Sequence, residues 1–84
     1  MKHDSLQADM EHRIAELRAA YPRISDCRAT LEDWREGGAR RHSLRLDIRW
    51  PQHQSLISGP ARESPEEAVQ AAFDAATRSL TVHA

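Results

Sequence analysis

Between His42 and Trp50 the chain alternates without a break. Leu44, Leu46, Ile48 and Trp50 fall on one side, and Ser43, Arg45, Asp47 and Arg49 fall on the other. A period of two is the signature of a β-strand, because successive side chains point to opposite faces of a sheet. One apolar face and one charged face mean that this sheet is covered on one side only. That requirement governs the rest of the chain, which must supply the cover.

Two segments have the periodicity to do so. Leu6, Met10, Ile14, Leu17 and Tyr21 recur at spacings of three and four, one stripe of an α-helix. Asp4 or Ser5 is the expected cap at its start, and Pro22 ends it. Near the other terminus, Ser64-Pro65-Glu66-Glu67 reads as a helix start. Ser64 is the N-cap, Pro65 the first helical residue and Glu67 the partner in a capping box. Val69, Ala72, Phe73, Ala76 and Leu80 then form the second stripe. Ile24 to Trp34 alternates as a strand, with Cys27, Ala29 and Leu31 on one face. Arg35 to Arg41 reads as a turn around Gly37-Gly38. A short third strand is expected around Gln54 to Ser58, before Gly59-Pro60.

The resulting order is α-β-β-β-α, one α+β domain over residues 1–84. A three-stranded antiparallel meander carries two helices packed on one face. The expected core is Leu6, Met10, Ile14, Leu17, Ile24, Cys27, Ala29, Leu31, Leu44, Leu46, Ile48, Trp50, Leu56, Val69, Ala72, Phe73 and Leu80. The opposite face should be polar, with Arg28, Arg45 and Arg49 beside Thr30, Glu32, Asp47 and Trp34. No apolar run approaches the roughly 20 residues of a membrane span, and the first residues lack the apolar stretch of a signal peptide. A cytoplasmic location is the expectation.

Chemistry is poorly represented. The single cysteine, Cys27, falls on the core face and excludes an internal disulfide. The five histidines, His3, His12, His42, His53 and His83, show no metal-ligand spacing. Ser79 and His83 are one helical turn apart but at the very end of the chain. Glu66-Glu67 suits a helix N-terminus better than an acid–base pair. No catalytic residue, metal or cofactor is expected, and the protein is read as a non-enzyme.

Charge is more informative by position than in total. Net charge is −1, yet eleven of the twelve cations are arginine. Residues 18–59 hold eight arginines against Asp26, Glu32, Asp33, Glu36 and Asp47, whereas both flanking segments are acidic. Arginine suits phosphate through its forked donors. It also serves as an ordinary solvated surface cation, and composition alone favours that reading, since strong nucleic-acid binders usually carry net positive charge.

Three segments in this order resemble a known family. Tyr21-Pro22-Arg23-Ile24-Ser25-Asp26-Cys27 is similar to a helix end entering a strand. His42-Ser43-Leu44-Arg45-Leu46-Asp47-Ile48 is similar to the strand that follows. Ala72-Phe73-Asp74-Ala75-Ala76-Thr77-Arg78-Ser79-Leu80 is similar to the closing helix. Together, over Gln7 to Leu80, they resemble the ribosome hibernation promoting factor and ribosome-associated inhibitor A (sigma-54 modulation) family. The resemblance implies a translation inhibitor that binds ribosomal RNA of the small subunit. It would block the messenger and transfer RNA sites in stationary phase or stress. The cations it places at RNA are Arg13 and Arg18 on the first helix, Arg23 and Arg28 at the first strand, Arg35, Arg40 and Arg41 in the hairpin, and Arg78 on the last helix.

The chain departs from the family in two ways. The family has a strand before its first helix, where only Met1 to Asp4 stand here, so an unpaired sheet edge and a homodimer through it are expected. The last helix is also poor in cations. Two other readings share the element order: a double-stranded RNA-binding domain, and a protein–protein module with no nucleic-acid role.

Overall fold

The computed structural model describes residues 2–83, with side chains described from Ser5 to Thr81. Five elements follow one another: α1 (Lys2–Ala20), β1 (Asp26–Glu36), β2 (Ala39–Arg49), β3 (Gln54–Ser58) and α2 (Pro65–His83). The strands form one antiparallel sheet in the order β1-β2-β3. The helices cover a single face, so the α-β-β-β-α arrangement expected from the sequence is the fold.

β2 is the centre of the molecule. Leu44, Leu46 and Ile48 are fully buried, flanked on the same face by Cys27 and by the partly buried Ala29, Leu31 and Ile57. α2 lies over them with Val69, Ala72, Phe73, Ala76 and Leu80. Burial of each large apolar side chain is worth about 1.5–3 kcal/mol, so this seam between β2 and α2 carries most of the stability. α2 approaches closely because Gly59 has no side chain. A Cβ there would stand 2.6 Å from Ala72 Cβ. The helix starts as its sequence demands: Ser64 Oγ accepts the Glu67 N–H at 3.1 Å, and the Ser64 carbonyl accepts from Ala68.

α1 is held more lightly. Leu17 is buried, whereas Leu6, Met10, Ile14 and Tyr21 are partly exposed. It carries side-chain pairs one turn apart, Gln7 with Glu11 and His12 with Glu16 on the exposed side and Asp9 with Arg13 on the side toward α2. Such pairs add only about 0.2–0.5 kcal/mol each.

Four expectations need correction. α1 begins at Lys2, so neither Asp4 nor Ser5 caps it; the side chain of Asp4 lies outside the described residues, as does that of His83. The β1–β2 turn is only Gly37-Gly38, both at positive φ (58° and 83°). Arg35, Arg40 and Arg41 are therefore strand residues, because a two-residue turn with the right twist lets pairing run on to Glu36 and Ala39. β1 itself starts at Asp26 rather than Ile24 and runs past Trp34 to Glu36. Leu56 is not core. It is 66% exposed on the open face, because β3 sets Ile57, its neighbour, opposite Leu46. Two adjacent apolar residues satisfy either register in sequence; only pairing chooses between them.

No described helix is long and apolar enough to cross a membrane.

Candidate nucleic-acid interface

Directly opposed residues of an antiparallel pair share a face of the sheet. On the helix side the opposed pairs run Cys27–Ile48, Ala29–Leu46, Leu31–Leu44, Asp33–His42 and Arg35–Arg40. The first three are apolar and covered. Beyond them the helices no longer cover the ribbon: every residue from Glu32 to Arg40 is exposed.

His42 closes the covered part. It is buried, its Nδ1 stands 2.7 Å from Asp33 Oδ1, and its backbone exchanges two 2.8 Å hydrogen bonds with Arg62. This bridge brings Arg62 beside the ribbon, a cation outside the sequence-derived set. Gly59-Pro60 reads as a chain departing from the sheet, so no local signal announces the return.

The tip beyond His42 gathers three of the eight expected arginines. Arg35 and Arg40 oppose each other on the helix side, with no acidic partner among the described residues. Arg41 points to the open face, opposite Trp34. Its Nε is buried without a hydrogen-bond partner, and the nearest acid, Glu36, is 3.8 Å away. Trp34 keeps 39% of its surface exposed. Forked cations on a narrow ribbon beside an exposed indole can hold phosphates and stack an unpaired base.

The other expected arginines stand apart. Arg13 joins Asp9 at 3.0 Å and Gln70 of α2 at 3.1 Å, a strut between the helices. Arg18 donates to the Ser25 carbonyl and pins the α1–β1 turn. Arg28 lies on the open face beside Asp26, at 3.3 Å. Arg78 shares a groove on α2 with Glu66, Glu67 and Asp74. Arg23 borders a cleft of about 710 Å³ at the far end of β2. There His53 stacks on Trp50 with ring centres 5.3 Å apart, and Trp50 Nε1 donates to Ser55.

The open face between these ends is balanced: Asp26, Glu32, Glu36 and Asp47 stand among Arg28, Arg41, Arg45 and Arg49. Arg49 is 3.7 Å from Asp47. Cys27 is buried, and burial, then the Asp26 carboxylate, push its thiol above the ordinary value, with Arg18 opposing the shift. A thiol held in that form is a packing residue rather than a nucleophile. Among the described residues no three His, Cys, Asp or Glu side chains gather to hold a metal.

The geometry defines a two-layer α+β domain with a bare basic β-ribbon at one end. Compared with family models, curated proteins and solved structures, the chain matches none.

Proposed function

We propose that this protein is a cytoplasmic, hibernation-factor-like domain that binds ribosomal RNA of the small subunit and blocks translation by occupying space. The observation that carries the reading is the ribbon tip, where Arg41 stands opposite an exposed Trp34 on one face and Arg35 opposite Arg40 on the other, with Glu36 the one acid beyond the Asp33–His42 pair. Arg35 and Arg40, exposed and without an acidic partner among the described residues, are forked donors that phosphate oxygens would satisfy. The ordered resemblance of three segments to the hibernation factors supports the choice of ribosomal RNA over other RNA. The mechanism is steric and needs no chemical step, cofactor or metal.

A double-stranded RNA-binding domain shares the element order but is supported less well. That class places cations at the start of its last helix, and here the first turn of α2 carries Glu66 and Glu67. These carboxylates repel phosphate.

The test is co-sedimentation with purified small ribosomal subunits at low and moderate salt. The unaltered protein is expected to sediment with the subunits and to be released as salt rises. Arg35→Glu with Arg40→Glu should weaken binding at least tenfold and lower the salt slope by roughly 1.5 to 2, as loss of about two phosphate contacts requires. Unchanged binding by this variant removes the tip as the contact surface. Absence of binding at either salt overturns the ribosomal reading altogether.

A further inference from the structure

The two edges of the sheet are unequal. β3 offers a short edge between Pro51 and Pro60, and the side of β2 beyond it is taken by the Arg62 bridge. β1 offers an edge along Asp26–Glu36, paired residue for residue with β2, and without proline, lysine or bulge. Proline, lysine and bulges are three of the devices that stop an edge from recruiting another strand; the charges of β1 are of both signs, so they block some registers and favour others.

The direction of its free backbone groups follows from the bonds on the far side of β2. Gly59 N–H donates to Leu44, Trp50 N–H to His53, and His42 and Arg62 exchange bonds. Even-numbered residues of β2 thus bond toward the β3 side, and odd-numbered ones toward β1. Through the register, Arg28, Thr30, Glu32 and Trp34 bond β2, whereas Cys27, Ala29, Leu31 and Asp33 face outward. Asp26 Oδ1 accepts the Cys27 N–H at 2.9 Å. The amides of Ala29, Leu31 and Asp33 meet no acceptor among the described residues.

We infer that this edge pairs with a second copy of the same chain, β1 antiparallel to β1, about a two-fold axis through Thr30. The charge pattern selects this register. With Thr30 opposite the partner's Thr30, Arg28 lies opposite the partner's Glu32, and symmetry repeats the pair. Ala29 meets the partner's Leu31 on the helix-covered face. These Arg–Glu pairs fall at the non-hydrogen-bonded positions, where Cα atoms approach to about 4.5 Å and side chains interact most closely.

Neighbouring registers place like charges together. A slide of two residues one way sets Asp26 opposite the partner's Glu36. A slide the other way sets Asp26 opposite the partner's Glu32. A larger slide sets Glu32 opposite the partner's Glu32, a repulsion at the axis that works against the Arg28–Glu36 pairs of that register. In the favoured register the axis stands perpendicular to the sheet, so all four helices stay on one face of a six-stranded sheet. The tips of the two ribbons point away from each other, and Arg35 to Arg41 stay outside the paired span.

Sedimentation equilibrium and amide hydrogen exchange of the whole chain test this. The protein is expected to dimerise with concentration. Glu32→Arg sets a cation opposite Arg28 and should weaken the dimer by about tenfold or more. Adding Arg28→Glu to that variant recreates the pair in reverse and should restore the dimer. In the unaltered protein, the amides of Ala29, Leu31 and Asp33 should slow as the dimer forms, while that of Arg35, beyond the paired span, stays fast. A monomer at every concentration overturns the inference, and so does a dimer that leaves the Leu31 amide fast. If the double variant fails to fold, the exchange pattern of the unaltered protein decides.

Discussion

The β1–β2 ribbon has two ends built on the same alternation, and they have opposite fates. At its base, the Ala29–Leu46 and Leu31–Leu44 pairs lie on the helix-covered face, with Leu44 and Leu46 fully buried and Ala29 and Leu31 partly so. Two pairs further along, on the same face of the same strands, stand Arg35 and Arg40, both exposed. The boundary is the Asp33–His42 pair, where a buried ring meets a carboxylate at 2.7 Å. Backbone pairing continues across that boundary because it needs only extended strands and a turn of matching twist. Side-chain burial does not continue, because no helix residue reaches past it. One end therefore holds the fold and the other is available for binding.

That contrast can be broken from the core outward. Ile48→Ala removes a fully buried side chain from the base of the ribbon. Chemical denaturation should show a loss of about 2–5 kcal/mol, a large share of a small domain's stability. Gly59→Ala acts on the cover rather than on the ribbon. Its new methyl group meets Ala72 and pushes α2 off β2, and a loss of about 1–3 kcal/mol is expected by the same measurement. At the tip, Arg40→Ala should leave stability within about 0.5 kcal/mol yet weaken ribosome co-sedimentation. A stability loss at Arg40 comparable to that at Ile48 would show that the tip is part of the packed structure, and the contrast would fall.

α2 and the central strand were legible because their residues carry period and punctuation together, whereas α1 showed its period but not its start. Leu44, Leu46 and Ile48 sit where alternation places them, and the Ser64–Glu67 cap forms with the expected donor and acceptor. The site was legible only in part. Eight arginines drew attention, but sequence assigns cations to elements and not to partners. Arg13 and Arg18 turn out to brace α1 against α2 and against the turn into β1. Arg62 reaches the ribbon through a bridge between segments that no local pattern connects.

What the sequence determined by itself is the element order, the covered and open faces of β2, and the place of the turn around Gly37-Gly38, though not how short it is. These depend on neighbours within a few residues, whose spacing and backbone preferences act locally. Only the tertiary structure decided that Leu56 faces solvent while Ile57 packs, how far the helices cover the ribbon, and which arginines are already engaged. Those outcomes depend on register and on contacts between residues far apart in the chain, where a shift of one position moves every side chain to the other face.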